Sequence, residues 1–519
     1  MRTAAIDAAV ARGVPPAWLL AVTMPSGDVL RVATRAITLE SAGTASGPWA
    51  YHPGLAGVDS YEETVDLWAE GGAVSLAQAS VTVASAIDLV GLAGDWMHVA
   101  TARVELALAW EGIAWEERIV LLAGRVASAE WGREHEESRL VLEATPPPSS
   151  ATIGDASRDA GVDYAGAQDN VGDDMTALDG THYTWVIGEP ESVPAQKIGD
   201  TPLAGTNFLV LCGHELPGGG TVAVSEDGGT PASYAVASTI ANPSGAWAYV
   251  SDATQFRAAN GAYTWTAAAS GGIARADATD QPTRSAADVV RYLLAASELD
   301  VDWARSLPAL DRLRAWRVGL WGDEEVAAID VLRESVLPWL PLVEVQTARG
   351  VALEVADPLA LPLEAHLVAP QHAQRLGRVV TTPAADCRNS FVVEYARDEY
   401  LDEYTAVVTI DADTDAACSL SAQLLGTLVS DPVQCPITWD AVTARRIGRS
   451  MAQRKALPRR RVTYQVAADL YWLRAGMAIR LTDDEIGCDG QRAVVTTIRR
   501  AASMEVDLDL VDITPASAL

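Results

Sequence analysis

Apolar and polar positions along the first third of the chain alternate with a period of two. Residues 17–40 run as apolar AWLLAVTM, then Pro25-Ser26-Gly27-Asp28, then VLRVATRAITL. The central residues supply a fixed φ and a permissive glycine, so the stretch predicts a β-hairpin. SLAQASVTVAS (75–85), ATARVELALAW (100–110), EERIVLLAGRVASAEW (116–131) and SRLVLEA (138–144) continue the alternation, which reads as antiparallel β-structure. Pro146-Pro147-Pro148 breaks the pattern and sets the first boundary, giving an N-terminal β domain over 1–146.

Residues 147–280 are richer in Gly, Ser, Thr, Asn and Asp, with short strand-like pieces: THYTWVIG (181–188), NFLVLCGHEL (207–216), GTVAVSED (220–227) and GAYTWTAAA (261–269). Many short strands between turn signals predict an inserted β-rich sandwich or small barrel. The period changes at 283. Val289, Val290, Leu293 and Leu294 recur at helical spacing after Ser285, a suitable N-cap. Val326, Ile329, Leu332, Val336 and Leu337 define a second helical face that stops at Pro338, and VEVQTA-RG-VALEVAD then predicts a hairpin around Arg349-Gly350. Residues 281–375 are therefore expected as an α+β module. The last segment, 376–519, returns to strands (391–398, 405–411, 460–468, 476–484, 491–501, 503–513) around one helix, 440–457, ended by Pro458. The fold class expected is mainly β with a smaller α+β module and several β-barrel or sandwich domains, without repeats of solenoid or propeller period.

Length and charge narrow the function. A chain of 519 residues holds several cores, and 49% hydrophobic with 21% charged residues is ordinary for a globular protein. The balance is unusual: 69 acidic against 38 basic residues, a net of −31, with Lys197 and Lys455 as the only lysines and 16 Trp against 3 Phe. Such a surface repels phosphate, which disfavours a DNA binder working by charge neutralisation and docking on anionic membranes. No stretch reaches the ~18 apolar residues of a membrane span. Asp7, Arg12 and Pro15-Pro16 interrupt what would be a secretory apolar region, so folding in the cytosol is expected.

Chemistry-bearing motifs are sparse. There is no nucleophile elbow, P-loop, zincin helix or dinucleotide fingerprint. Asp411-Ala-Asp413-Thr-Asp415 resembles the start of a calcium loop but has Ala416 and Ala422 where Gly and Glu are needed, and reads as a solvated acidic turn. Cys212 and His214 share a strand face by simple alternation, and no third orienting group accompanies them. His135 lies among Glu134, Glu136 and Glu137, as in an exposed loop or strand surface. No catalytic residue, metal site or cofactor is expected. Cys387, Cys418, Cys435 and Cys488 are read as small buried apolar side chains, with a disulfide or an iron–sulfur cluster among them as the alternatives.

Charge is segregated. Residues 440–500 hold 13 basic and six acidic side chains, a net of +7, so the rest of the chain carries −38. Arg445 and Arg449 are i,i+4 neighbours opposite an Ile447–Met451 stripe. Arg445, Arg446, Arg449, Arg454, Arg459, Arg460 and Arg461 form a basic patch expected to be either a solvated face or a subunit interface, where arginine makes bidentate carboxylate pairs.

Several segments together resemble tail hub proteins of long-tailed phages and gene transfer agents. TRSAADVVRYLLAASELDVDWARSLPALDRLRAWRVGLW and DVLRESVLPWLPLVEVQTARGVALEV are similar to the family's central region, whose helical Leu-Pro end appears as Leu337-Pro338-Trp339-Leu340-Pro341. CRNSFVVEYARD resembles a strand after an Asn, and ITWDAVTARRIGRSMAQRKALPRRRVTYQV a Pro-terminated helix and strand. LRAGMAIRLTDDEIGCDGQRAVVTTI resembles the closing barrel turns, with Gly476 and Gly490 at the turns and Ala475-Gly476-Met477 in place of the usual Pro-Gly-Asp. The likeness spans about 283–513 and is looser over 17–145.

The resemblance implies two tail-tube-like β domains per chain and a non-enzymatic homotrimer. That trimer would form the baseplate hub at the tail tip of a siphophage virion, assembled in the host cytoplasm, joining a sixfold tube to a threefold tip. Implied partners are a distal tail protein, the tape-measure protein's C-terminus and tip or fibre proteins. DNA is met only in passing, during ejection through an acidic channel, and the chain does not enter a membrane. The rival reading is a virion-associated cell-wall or carbohydrate-binding or -degrading protein. It would act through the 147–280 insert, where Trp185, Trp247 and Trp265 would stack on sugars.

Overall fold

The computed structural model describes residues 4–41, 48–65, 73–84, 87, 96–131, 137–144, 149, 151–153, 185–188, 192–200, 206–212, 221–225, 232–237, 246–251, 256–259, 285–322, 324–347, 350–357, 361–398, 402–466, 470–500 and 506–512. The expected strand at 261–269, with Trp265, and the residues His135, His214 and Glu215 lie outside these.

In chain order, helix α1 (Ala4–Ala11) leads to β1 (Ala17–Thr23), β2 (Val29–Ala33), β3 (Ile37–Leu39), β4 (Trp49–Pro53), β5 (Leu55–Val65) and β6 (Ala73–Val83). Helix α2 (Trp96–Ala100), β7 (Arg103–Ala109), β8 (Ile119–Trp131) and β9 (Ser138–Glu143) complete the first segment. The insert carries β10 (Thr152–Ile153), β11 (Trp185–Gly188), β12 (Ser192–Asp200), β13 (Thr206–Cys212), β14 (Thr221–Ser225), β15 (Ala232–Ala237), β16 (Ala246–Ser251) and β17 (Phe256–Ala259). Then come α3 (Ala286–Ala296), α4 (Trp303–Asp311), β18 (Gly319–Gly322), β19 (Val326–Ala327), β20 (Leu342–Thr347) and β21 (Gly350–Val355). The last part holds β22 (Leu363–Val368), β23 (Ala373–Arg375), β24 (Val380–Thr381), β25 (Phe391–Asp398), β26 (Glu403–Ile410), α5 (Ala416–Leu425), β27 (Val433–Gln434) and α6 (Ala441–Lys455). It ends in β28 (Arg460–Val466), β29 (Ala478–Asp483), β30 (Cys488–Arg500) and β31 (Val506–Asp512). The fold is mainly β with a smaller α+β module.

The expected N-terminal hairpin is present: β1 pairs antiparallel with β2 around Pro25–Asp28, and its other edge pairs with β7. The order continues β7–β8–β9–β6–β5, all antiparallel, with apolar alternate residues turned inward. Strand β5 then pairs with β30, Thr64 opposite Thr497 through Tyr61 opposite Arg500. Strand β30 also pairs with β29 along the first half of one edge and with β31 along the other edge. It is the seam through which the first and last strands of the chain share one sheet and one core, where the Trp110 and Tyr471 rings meet at 4.5 Å.

The α+β module has its own core. Ser285 caps α3, its hydroxyl accepting from Asp288 N at 3.2 Å, and Val289, Val290, Leu293 and Leu294 are buried as the periodicity predicts. The second helical stretch departs from expectation. Val326–Ala327 pairs as strand with Thr152–Ile153, and the helical run from Ala328 widens to π geometry over Val331–Val336 before tightening to 3₁₀ at Leu337–Trp339. Pro338 has no N–H to return to the preceding turn, so the helical run, already out of α geometry from Val331, ends in that 3₁₀ turn. The β20–β21 hairpin turns at Gly350 with φ +110°, where a Cβ would lie 1.9 Å from the Asp300 carbonyl oxygen.

Packing unites segments distant in sequence. Strands β25 and β26 and helix α6 share their core with α3, α4 and the 328–340 run. Strands β22 to β24 instead pair with β28 and β29. Strands β28 to β31 fall where the pattern predicts them. Gly476 stands at a turn with φ +87°, whereas Gly490, expected at a turn, lies inside β30 with φ +63°, where the register with β29 shifts between the Leu481–Gln491 and Asp483–Cys488 pairs. Helix α5 was not expected. Asp415 accepts from Ala417 N at 2.9 Å and Cys418 N at 3.2 Å, and Asp411 accepts from Asp413 N at 3.1 Å. The acidic triplet is thus a turn that starts a helix.

Candidate functional site

Helix α6 carries most of the basic patch. Asp440 caps it, accepting from Thr443 N at 2.8 Å, while the Thr443 hydroxyl accepts from Arg317 N at 2.8 Å and ties the helix start to the α+β module. Ala444, Ile447, Gly448 and Ala452 are buried against β25 and β26. A Cβ on Gly448 would lie 2.6 Å from Ile410 Cγ1 and 3.2 Å from Val393 Cγ2, so the glycine permits the close approach of helix to sheet. This packing leaves Arg445 and Arg449 exposed on the opposite face.

The seven arginines do not form one surface. Arg446 donates to the Ala315 carbonyl at 2.6 Å and Arg460 to the Ile486 carbonyl at 2.8 Å and to Gln491 Oε1, so both are committed to holding neighbouring segments. Arg454, Arg459 and Arg461 line a cleft of about 890 Å³ at the helix C-terminus, with Arg459 also donating to the Gln453 carbonyl. Arg388 and Lys455, which the patch as read from sequence did not include, join them there. Glu334, Asp386 and Asp431 also line the cleft, so five cations stand against three carboxylates. Its apolar lining includes Trp339, Phe391, Met451, Pro432 and Leu457.

Buried hydrogen bonds hold the walls. Arg388 N donates to the Lys455 carbonyl and Thr382 N to the Arg459 carbonyl, both at 2.9 Å, stitching the 382–391 segment to the end of α6. Asn389, 2% exposed, donates from Nδ2 to Ser421 Oγ at 3.0 Å and to the Gly426 carbonyl at 2.8 Å, and its Oδ1 accepts from Leu428 N at 2.7 Å. All polar atoms of that side chain are used, which makes it a rigid link between α5 and the cleft wall. The sequence singled out this Asn only through resemblance. Trp339 reaches the cleft from more than a hundred residues before α6, a juxtaposition no local pattern encodes.

A second charged constellation lies at the β5–β30 seam. Arg474 Nε donates to Glu63 Oε2 at 2.8 Å, and its Nη1 and Nη2 donate to the Val120 and Leu121 carbonyls at 2.8 and 3.1 Å. The Tyr61 hydroxyl lies 3.0 Å from both Glu63 Oε2 and the Leu121 carbonyl. Burial, then Glu63, pushes the Tyr61 pKa up. Burial works against the Arg474 charge, but Glu63 and Tyr61 outweigh it and hold the guanidinium charged. Arg500, 2% exposed, donates to the Tyr471 carbonyl at 3.0 Å with its Cζ 5.1 Å from the Tyr61 ring centroid. These residues clasp the first and last strands together.

The four cysteines described are free thiols, and Cys418, Cys435 and Cys488 sit in three separate cores. Among the described residues, no three or more His, Cys, Asp or Glu side chains come together as a metal site. No helix among them is long and apolar enough to cross a membrane. Trp185 donates to the Glu324 carbonyl at 2.9 Å and its ring fills the space beside Gly322, while Trp247 lies on β16 opposite Val210 of β13.

No family model matches the chain, and no curated protein matches it. Among solved structures it is similar to the 43 kDa tail protein of prophage MuSo2 from Shewanella oneidensis, at 8% identity over 97% of this chain and 99% of that one, TM-score 0.42. A chain from the virion of a native gene transfer agent particle aligns at 15% identity over 65% of this chain and 85% of its own, TM-score 0.44. The tail protein from Neisseria meningitidis MC58 aligns at 8% identity over 95% and 96%, TM-score 0.35.

Proposed function

We propose that the chain is a structural, non-catalytic component of a phage-type tail, acting as the hub at the tail tip of the virion. In this reading three copies form a ring that joins the sixfold tube to a threefold tip and lines the path DNA takes during ejection. A distal tail protein, the tape-measure protein's C-terminus and tip or fibre proteins are its neighbours. The observation that carries the reading is the run of family-like segments over 283–513. Its capped helix, Gly350 hairpin, Pro-terminated helix α6 and closing strands follow one another in the fold in the order the family pattern requires.

Two physical features support it. The β30 seam and the Glu63–Arg474 clasp make the first and last β segments one continuous unit, as a ring wall under load needs. The net of −31 per chain lets DNA pass without the counterion release that would make it adhere. The test is immunogold labelling of purified particles with an antibody to this chain, followed by negative-stain microscopy. Label at the distal end of the tail is expected. Label on the capsid, along the whole tube, or on no particle would refute the hub.

A further inference from the structure

We draw no further inference here: the strongest candidate, the polar pocket of about 430 Å³ beside the β5–β30 seam, has its charged side chains already paired between strands, Arg499 with Glu62 and Asp509 and Asp59 with Arg139, and nothing in the structure shows what would occupy it.

Discussion

Replacing Arg474 with Met should loosen the seam between the first and last strands. The guanidinium makes a charged pair with Glu63 and donates to two main-chain carbonyls, Val120 and Leu121, from a side chain only 13% exposed. Removing it leaves Glu63, 2% exposed, as a buried carboxylate whose remaining side-chain partner is the Tyr61 hydroxyl. Breaking a buried pair from one side costs about 3–5 kcal/mol, because the surviving charge stays out of water. Hydrogen exchange read by mass spectrometry on peptides covering β5 and β30 measures the opening directly. Protection there should fall by roughly a hundred- to a few-thousand-fold, at 1.4 kcal/mol per tenfold. The double variant Glu63→Leu/Arg474→Met removes both charges and frees the Tyr61 hydroxyl to serve the Leu121 carbonyl, so it should be milder than Arg474→Met alone. A change of less than about threefold in the single variant would refute the buried-charge argument, since that is under 1 kcal/mol. So would a double variant worse than the single.

Two further outcomes follow from other parts of the fold. Gly448→Leu should lower stability by about 1–3 kcal/mol in a denaturant titration, because the added side chain meets Ile410 and Val393 and lifts α6 from its sheet; unchanged stability would show that the helix does not depend on this contact. Cys435 is buried, which pushes its thiol from 9.0 up to about 12. The folded state therefore holds the thiol proton more tightly than the unfolded chain. That contribution is fully present below pH 9 and is lost as pH rises toward 12, by on the order of 1 kcal/mol per pH unit. The melting temperature should fall over that range, and Cys435→Ala should flatten the fall; equal slopes for the two proteins would refute it.

Much of the local structure was legible in the sequence. Alternation placed β1, β2 and β6 to β9, and a period of 3.6 behind Ser285 and Asp440 placed α3 and α6, because burial of one face and capping of orphan amides are local requirements. Helix α5 escaped because Asp415 reads equally as a cation ligand and as an N-cap until its partners are known. The strong departure from α geometry before Pro338 escaped for a similar reason: proline marks where a helix must stop, but not how the preceding turn adjusts.

The excess of acid was a property of the sequence alone, and so was its reversal between 440 and 500. What the reversal is made of was decided by the tertiary structure. Arg446 and Arg460 hold neighbouring segments through backbone carbonyls, Arg445 and Arg449 are exposed on the outer face of α6, and Arg454, Arg459 and Arg461 meet Arg388, Lys455 and Trp339 in one cleft, where Arg459 also donates to the Gln453 carbonyl. Periodicity assigns a residue to a face of its own element, but which distant segment lies against that face depends on strand order. Here strand β30 joins the two ends of the chain, and the end of α6 meets the loop before β25, contacts formed across long stretches of sequence with no local signal.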